Sequence, residues 1–395
     1  MHIFINALNA RLGGGQTYVI NLLQHLPETS SVRISMLLST SQGMAGIPEG
    51  VNVRKSGKWL QKPLLRAIWE RLFLPGVLRR EKADVLFCPG GVVLTRPPRG
   101  CRLVTMFRNM IPFDIKQRKR YALGYKRVRN WLLQKIMASS MRKADLVIFI
   151  SDYARRLIED HPKIAVKKSV VIPHGISDRF LIPSHAEETR TVIHEGDYLL
   201  YVSSVDVYKM QIEVIRAFSR LESGRRGLTL VLAGPEINRK YAARVRAEVN
   251  RLGLEEAVKM VGSIPYDELP LWYQNAKINI FASESENCPN ILLEMMASGR
   301  PVACSNYPPM PEFGQDAVAY FDPEDPDTLA DVIDKLLGSR GLCEKLSYRS
   351  VEISRSYQWR DAARQTWEEI YSLVNKDKNT PTLAREASRR RSNAG

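Results

Sequence analysis

The chain has 395 residues, 44% of them hydrophobic, and a formal net charge of +16. This length predicts two or three soluble domains with sizeable cores, and the basic balance favours nucleic acid, an anionic membrane surface or phosphorylated substrates as partners. The five scattered cysteines form no C-x-x-C pair, which argues against a disulfide framework or a zinc site and indicates reduced thiols in a cytosol-like compartment.

The N-terminal segment predicts a Rossmann-type opening. His2–Ile5 is a predicted strand, Gly13, Gly14 and Gly15 form a loop, and apolar residues at helical spacing follow the loop. The glycines do not match G-x-G-x-x-G, so a dinucleotide site is not favoured. They can make a tight turn, but three in a row cost more chain entropy than one turn needs, which favours a functional role. Residues 1–26 carry no signal-peptide pattern, and no run approaches the ~18 apolar residues of a membrane span.

Further strands are predicted at Val32–Leu38, Val85–Cys88 and Leu103–Phe107. The loop after the last of them carries Arg108 and Asn109. We expect Arg108 to contact a phosphate or an acceptor, and the alternative is a surface arginine beside a loop.

A basic segment follows. Residues 96–143 contain fourteen Lys and Arg but one acid, Asp114. Within the core of this segment, 116–143, one apolar stripe is formed by Tyr121, Tyr125, Val128, Leu132 and Ile136. A basic amphipathic helix of this kind predicts binding to an anionic membrane surface. The alternative is an ordinary domain helix whose stripe packs inward.

The first domain is predicted to end near residue 182. A strand is expected at Ala144–Ser151, and the segment Val170–Ile176 contains His174, which we interpret as a hinge or loop residue. Residues 183–196 are polar and unpatterned, as expected of a linker.

A second α/β unit follows the linker. Strands are predicted at Tyr198–Val205, Leu228–Ala233 and Val258–Val261. The last two end at Gly234 and Gly262, and loops at the carboxyl ends of such strands bind nucleotides. Lys209 precedes the helix after the first strand. A helix start is unfavourable for a cation, so a bound anion explains Lys209 better than a surface position does.

The stretch Phe281–Val302 carries the most chemical information. A strand is predicted over 277–281, followed by a polar loop and a helix that begins near Asn290. Glu286 lies in the loop and Glu294 about one turn into the helix. Free N–H groups at the helix start favour an anion, whereas carboxylates beside them suit a neutral, hydroxyl-rich group. A sugar nucleotide supplies both groups, and two solvated carboxylates are the alternative.

The two glutamates and the sequence that flanks them resemble the E-x7-E signature of the family-4 retaining glycosyltransferases, which have the GT-B fold. The resemblance implies an α/β fold of two Rossmann-like, doubly wound domains facing a cleft. It implies an acceptor-side domain at 1–182 with a returning helix at 359–374, and a nucleotide-sugar domain at 197–358. Residues 375–395 are predicted to form a disordered basic tail.

The resemblance also implies roles for individual residues. Glu286 and Lys209 are the expected catalytic residues, and Glu294 is expected to bind the ribose. The other implied donor-binding residues are Asn287, Cys288, Pro289, Asn290, Gly234, Gly262 and Ser204. The implied acceptor and phosphate loop consists of Gly13, Gly14, Gly15, Arg108 and Asn109. No metal or other cofactor is expected.

Two positions depart from the family pattern. Relatives hold the donor diphosphate with an arginine where this chain has Ser204, so we expect another arginine to substitute. Many relatives also carry a histidine near the point of sugar transfer, where this chain has Arg108 and Asn109. No histidine role is therefore carried over.

We expect a retaining, metal-independent hexosyltransferase of cell-surface glycan biosynthesis. Its expected partners are a nucleotide-sugar donor, a lipid-linked glycan acceptor and an anionic membrane surface bound through helix 116–143, without nucleic acid. Its expected location is cytoplasmic, at the inner face of the cell membrane. The ENCPN sequence resembles variants found in mannosyl- and deoxysugar transferases, which favours a GDP-sugar. The alternatives are a nucleic-acid-binding protein, a same-fold epimerase or phosphorylase, and a catalytically silent homologue.

Overall fold

The structure, a computed structural model, describes residues 1–9, 14–27, 32–39, 46–114, 116–117, 124–181, 196–221 and 227–378. These residues form two parallel β-sheets with helices on both faces. The first sheet contains β1 His2–Asn6, β2 Arg33–Leu38, β3 Asn52–Lys55, β4 Val85–Cys88, β5 Arg102–Phe107, β6 Leu146–Phe149 and β7 Ser169–Val171. The second contains β8 Asp197–Val202, β9 Leu228–Ala233, β10 Val258–Gly262, β11 Ile278–Phe281, β12 Val302–Ser305 and β13 Ala319–Phe321.

The α-helices are numbered over the same described residues. Those before the second sheet are α1 Gly14–Gln24, α2 Pro63–Leu72, α3 Leu74–Glu81, α4 Tyr125–Lys143 and α5 Asp152–Glu159. Those that follow are α6 Gln211–Ser219, α7 Arg239–Arg251, α8 Leu269–Asn275, α9 Asn290–Ala297, α10 Met310–Gly314, α11 Pro326–Gly338, α12 Arg340–Ser354 and α13 Trp359–Lys378. Short 3-10 helices lie at Lys58–Gln61, Asp178–Phe180 and Val207–Lys209.

Both sheets have a doubly wound strand order. The first runs β3-β2-β1-β4-β5-β6-β7 and the second β10-β9-β8-β11-β12-β13, with parallel pairing throughout. The order reverses between β1 and β4 and between β8 and β11, and such sheets bind ligands beyond the carboxyl ends at this reversal. The predicted fold class of two Rossmann-like α/β domains is confirmed.

The sequence pattern does not predict β3, β7 or β13. All three are edge strands of three or four residues, and most of their side chains are exposed or half-buried. An edge strand needs no continuous apolar run, so the signal that identifies the central strands is missing. The predicted linker lies outside the described residues except for Gly196.

The last helix returns to the first domain, as predicted. Trp367 and Ile370 of α13 are fully buried in the core on one face of the first sheet. The Trp367 indole N–H donates to the Leu22 carbonyl at 3.1 Å, and the hydroxyls of Tyr18 and Thr366 lie 3.2 Å apart. The helix continues to Lys378, past the predicted boundary at residue 374, and residues 379–395 lie outside the described residues.

The basic segment forms α4 from Tyr125 onward, and Lys116 and Gln117 are also helical. Of the predicted stripe, Val128 and Leu132 are 64% and 51% exposed. The helix packs inward through Met137 and other residues that the stripe does not include. Positions 118–123 lie outside the described residues, as do the side chains at 125 and 126.

Gly175 marks the point where the chain returning from the second domain meets the first. A Cβ added to Gly175 would lie 2.1 Å from the backbone nitrogen of Trp359. The backbone at Trp359 cannot move aside as the tip of a flexible side chain can. We therefore expect Gly175→Ala to lower the free energy of unfolding, measured by chemical denaturation, by about 1–3 kcal/mol. Gly341→Ala in α12 is the control, because nothing lies within 4 Å of that added Cβ. An equal effect of both substitutions would contradict this account.

Candidate active site

The loops after β8 and β11 leave the second sheet where its strand order reverses. The first of these loops leads into the 3-10 helix Val207–Lys209, and the second leads to α9. Because β8 and β11 are hydrogen-bonded neighbours, the two loops bring Lys209 and Glu286 to the same edge of the sheet.

Lys209 and Glu286 form an ion pair in which the ammonium donates to Oε1 of the carboxylate. The lysine side chain is 7% exposed and the glutamate side chain 19%. The ammonium also lies 5.0 Å from the ring centroid of Tyr208. The Tyr201 hydroxyl donates to the Lys209 carbonyl at 2.6 Å, which fixes the backbone. The anion beside Lys209 is therefore Glu286, a pairing that the sequence pattern does not predict.

Glu294 lies one turn into α9 and is 6% exposed. The Tyr266 hydroxyl donates to its Oε1 at 3.1 Å, and Phe180 packs edge-on against Tyr266 with ring centroids 5.3 Å apart. Burial raises the pKa of Glu294 to about 8, and the hydrogen bond from Tyr266 offsets only part of this effect. The carboxyl group is therefore largely protonated near neutral pH.

A cavity of about 260 Å³ lies between the two domains. Its wall consists of Gly14, Arg108, Ile150 and His174 from the first domain and Phe281, Glu286, Asn287, Cys288, Pro289, Asn290 and Ile291 from the second. The structure thus brings Gly14, Arg108 and the predicted run from Glu286 to Asn290 together. Lys209 and Glu294 do not line this cavity, so the two glutamates of the E-x7-E spacing face different surroundings.

Among the described residues, Arg108 is a cation of the cavity wall without an ion-pair partner. Its Nε is buried and, among the described residues, has no hydrogen-bond partner. Its guanidinium carbon lies 5.9 Å from the ring centroid of Tyr18, and a Cβ added to Gly14 would lie 3.2 Å from its Nη2. Burial lowers the pKa of Arg108. A buried cation without a carboxylate partner is the arrangement expected of an anion site.

The first turn of α9 meets the same cavity. The helix begins at Asn290, and the residue at its N-cap, Pro289, makes no side-chain hydrogen bond to the first-turn amides. Asn290 and Ile291 both line the cavity. A helix start carries partial positive charge, so it reinforces the attraction of Arg108 for an anion.

His174 completes the polar part of the wall and is 4% exposed. Its ring centroid lies 5.4 Å from that of Tyr18 and 5.3 Å from that of Trp359. Burial and then the charge of Arg108 lower the pKa of His174 well below its usual value, although the neighbouring Asn290 raises it in part. In the described part of the chain, His174 Nε2 and Asn290 Oδ1 are buried without a hydrogen bond of normal geometry. His174 is thus a neutral residue of the cavity wall. The sequence predicts only a hinge or loop residue at this position.

The Asn287 side chain joins the two domains. Its Nδ2 donates to the Phe107 carbonyl at 2.9 Å, and its Oδ1 accepts from the Ser151 hydroxyl at 3.0 Å. The sequence assigns Asn287 to the donor sugar. In the structure, both polar atoms of its side chain bridge the domains, so a contact with the donor sugar is left to its backbone N–H group.

Further contacts hold the domains together at positions that no sequence motif marks. The Glu312 carboxylate accepts from the first two backbone amides of α5 at 2.7 and 3.0 Å. Lys116 forms an ion pair with Glu324 at 2.7 Å and lies 3.4 Å from the Glu284 carboxylate. Gln117 donates to the same Glu284 at 3.2 Å. Sequence reasoning misses these residues because each contact joins segments that are far apart along the chain.

Three predicted donor residues lie at or just beyond the carboxyl ends of strands in the second sheet, outside the cavity wall. The Gly234 amide donates to the Gly262 carbonyl at 2.6 Å. A Cβ on Gly234 would lie 2.0 Å from the Ser203 carbonyl oxygen, so only glycine allows this close approach. The Ser204 carbonyl accepts from Nε2 of Gln211 at 3.0 Å.

The remaining predicted residues have local roles or lie elsewhere. Oδ1 of Asn109 accepts from the Ile111 amide in its own loop at 3.2 Å. Gly15 is buried in α1, and Gly13 lies outside the described residues. Burial raises the pKa of Cys288 to about 12, so its side chain is a neutral thiol.

The described ranges contain neither a cluster of metal ligands nor a membrane span. There, no three His, Cys, Asp or Glu side chains converge as they would around a metal ion. No helix of those ranges has both the length and the apolar character that a bilayer crossing requires.

Two family models match this chain. The model for glycosyl transferases group 1 matches residues 183–352, and that for glycosyltransferase family 4 matches residues 12–180. The chain belongs to glycosyltransferase family 4, with the GT-B fold, and is a hexosyltransferase. This membership favours a glycosyltransferase over the epimerase alternative.

The chain is related to bacterial O-antigen mannosyltransferases. O-antigen chain mannosyltransferase B of Escherichia coli is 25% identical over 282 residues, which cover 68% of this chain and 70% of that protein. Alpha-monoglucosyldiacylglycerol synthase of Streptococcus pneumoniae is 29% identical over 189 residues, 46% of this chain and 42% of that protein. Serotype-specific mannosyltransferase WbdA of Escherichia coli is 20% identical over 285 residues, 71% of this chain and 34% of that protein. The matches thus span less than half of the last two proteins.

Solved structures share the fold over nearly the whole chain. HepE of Anabaena, in complex with UDP and glucose, has a TM-score of 0.70 at 17% identity and covers 94% of this chain and 100% of its own. Sucrose-phosphate synthase from Thermosynechococcus elongatus has a TM-score of 0.73 at 15% identity, with 95% and 100% covered. These similarities establish the architecture.

The raised pKa of Glu294 predicts a pH dependence of stability. Its pKa rises from 4.5 to about 8 on folding, so this carboxyl group stabilises the fold below about pH 4.5, and that contribution is lost as the pH rises through about 8. The loss is at most about 1.4 kcal/mol per pH unit. We expect Glu294→Gln to flatten the fall in unfolding free energy between about pH 5 and pH 8 in chemical denaturation.

Glu256→Gln is the matched control for this measurement, because the Glu256 side chain is fully exposed. It should leave the slope of the wild-type curve unchanged. A Glu294→Gln curve that is parallel to the wild type would show that Glu294 does not titrate as its burial requires.

Proposed function

We propose that this enzyme transfers mannose or a deoxysugar from a GDP-linked donor, with retention and without a metal ion, to a lipid-linked or polysaccharide acceptor. The reaction belongs to the synthesis of a cell-surface glycan of the O-antigen or capsule type. The relatives support this proposal, because O-antigen chain mannosyltransferase B and WbdA are mannosyltransferases. The ENCPN segment over 286–290 supports the same sugar class.

The observation that carries the proposal is the cationic cavity between the domains. It combines the unpaired guanidinium of Arg108 with the uncapped start of α9. A donor diphosphate is the part of a sugar nucleotide that such a cavity attracts most strongly. In this proposal Arg108 supplies the cation that the family pattern places where this chain has Ser204.

Glu286 and Lys209 act on the transferred sugar and its leaving group. Glu286 accepts hydrogen bonds from the sugar hydroxyls, and charge-assisted bonds of this kind contribute ~1.5–3 kcal/mol each. As the glycosidic C–O bond breaks, the diphosphate gains negative charge and the sugar becomes oxocarbenium-like. Lys209, Arg108 and the start of α9 stabilise that charge, which is the largest contribution to catalysis at such sites. An acceptor hydroxyl then attacks the anomeric carbon with retention, and its proton passes to the departing diphosphate.

Glu294 binds the ribose of the donor. In the free enzyme its raised pKa leaves it largely protonated near neutral pH. Ribose hydroxyls that donate to the carboxylate favour its ionised form and lower the pKa again. The contacts of Asn287 and Glu312 across the domains keep water from the activated sugar.

The enzyme works from the cytoplasm at the inner face of the cell membrane. Its basic segment, 96–143, carries fourteen Lys and Arg against one acid. An anionic leaflet attracts such a segment by ~1 kcal/mol for each cation near the surface. The attraction concentrates the enzyme where a lipid-linked acceptor is found.

A donor screen tests the proposal as a whole. We expect GDP-mannose or a GDP-deoxysugar to raise the Tm more than UDP- or dTDP-sugars, and to be turned over in the presence of excess EDTA. The product anomer, read by NMR, should match that of the donor. Preference for a UDP-sugar would reject the GDP-linked donor. Inversion of the anomer would reject retention, and loss of turnover in EDTA would reject a metal-independent reaction.

The role of Arg108 is tested separately from the donor base. We expect Arg108→Met to weaken GDP binding about 10- to 100-fold, the value of a charge-assisted hydrogen bond, and to leave guanosine binding unchanged. Isothermal titration calorimetry measures both. Arg79→Met removes an exposed arginine of α3 and is the control. Undiminished GDP affinity in Arg108→Met would place the diphosphate elsewhere.

Membrane attraction is tested at Arg118, Lys119 and Arg120, which lie outside the described residues. Replacing all three by Gln should weaken sedimentation with anionic vesicles roughly hundredfold at low salt, since each cation contributes ~1 kcal/mol. Neutralising Arg239, Lys240 and Arg244 of α7 changes the net charge equally and is the control. If both triple variants sediment alike, the basic segment has no special role.

A further inference from the structure

Helix α2 exposes its apolar side chains and buries a carboxyl group, which is the reverse of an ordinary surface helix. Leu64, Ile68 and Leu72 lie on one face and are 80%, 53% and 67% exposed. Glu70, on the opposite face, is 1% exposed. Helices of soluble domains normally bury the apolar stripe and expose carboxylates. A contiguous exposed apolar face of this kind marks an interaction surface.

Polar contacts hold α2 in this orientation. Nδ2 of Asn6, the last residue of β1, donates to Oε1 of Glu70 at 3.2 Å. Arg66 donates to the Leu8 carbonyl at 3.5 Å. Turning the leucines inward would break these bonds and leave a buried carboxyl without them. The outward apolar face is therefore fixed at the carboxyl edge of the first sheet, the edge that faces the cleft.

A groove of about 590 Å³ runs between α2 and α4. This volume lies within the range of ligand pockets. The apolar part of its wall consists of Ala67, Ile68, Leu72, Val93, Leu94 and Ile136. Arg71, Lys135, Lys143 and Ser139 also line it, and no carboxylate of the described residues does. The groove is thus mainly apolar, and its charged lining residues are all positive.

The charges that act most strongly on Lys143 are positive. Burial, followed by the charges of Arg71, Arg96 and Arg142, lowers the pKa of Lys143. Three cations in the wall of one groove, Arg71, Lys135 and Lys143, favour an anionic occupant. Two copies of this face would repel each other for the same reason, which argues against self-association as the use of the surface.

The apolar surface continues onto α4 and the segment before α2. On α4, Trp131 is 51% exposed, and Lys135 lies 5.5 Å from its ring centroid. Trp59, ahead of α2, is 48% exposed. Tryptophans next to Lys and Arg on an apolar face are characteristic of elements that lie in a membrane interface.

We propose that the α2–α4 groove binds one anionic membrane lipid, with an acyl chain along the groove and the phosphate on Arg71, Lys135 and Lys143. The exposed leucines of α2 then enter the surrounding acyl layer. This groove is a docking site of defined position, whereas the basic segment attracts a membrane only in a general way. The inference rests on the proposed membrane association and extends it. It does not depend on the donor chemistry.

Trp59 and Trp131 are native reporters for a test with the full-length enzyme. The probe is vesicles of phosphatidylglycerol and phosphatidylcholine with brominated acyl chains. We expect tryptophan quenching that the double variant Trp59→Phe with Trp131→Phe loses. Ile68→Ser with Leu72→Ser should weaken vesicle binding roughly tenfold or more. Arg71→Gln with Lys143→Gln should weaken it roughly thirtyfold at low salt.

The control is Tyr348→Ser, which removes a 78% exposed aromatic side chain from α12 and should leave vesicle binding unchanged. GDP titration of every variant separates a failure of the lipid site from a failure of the donor site. Unchanged vesicle binding by the Ile68/Leu72 variant would overturn the proposal. So would binding without quenching, which indicates headgroup contact alone. A lipid-free dimer that the Ile68/Leu72 variant dissociates would assign the surface to self-association instead.

Discussion

The two hydrogen bonds of the Asn287 side chain attach the donor loop of the second domain to the first domain. The residue before it, Glu286, and the residues that follow it line the cavity between the domains. One short loop therefore forms one wall of the cavity and also joins the two domains. Separating the domains would part Arg108 from the start of α9, so the proposed anion site needs both domains in this arrangement.

The charge balance of this cavity follows from burial. His174 and Cys288 are neutral because desolvation shifts their pKa values away from the charged forms. Lys209 and Glu286 compensate each other, which leaves Arg108 as the uncompensated charge of the described wall. In the proposal, Arg108 of the first domain takes the place of the cation that the family pattern puts where this chain has Ser204.

The sequence predicts those parts of the molecule that depend on local pattern. Central strands are continuous apolar runs, and the loop and helix that hold Glu286 and Glu294 are readable from glycines, prolines and helical spacing. Contacts across the fold are not readable in this way. Lys209 and Glu286 are 77 residues apart, and Asn287 and Phe107 are 180 apart. Which side chain meets which depends on strand order and domain closure, and neither leaves a periodic signal in the chain.

The placement of Glu294 shows the same limit. The spacing puts both glutamates near one helix start, yet one residue borders the cavity while the other is buried against Tyr266. In the proposed complex, the sugar nucleotide runs from the cavity along α9, with its diphosphate at the helix start between the two glutamates. The E-x7-E spacing alone identifies the two carboxylates but does not predict the path of the ligand between them.

A crystal structure of the enzyme with GDP tests the central claim most directly. The account predicts the diphosphate in the interdomain cavity, within hydrogen-bond distance of the Arg108 guanidinium and the first amides of α9, and the ribose at Glu294. A diphosphate bound away from both Arg108 and the start of α9 would contradict it.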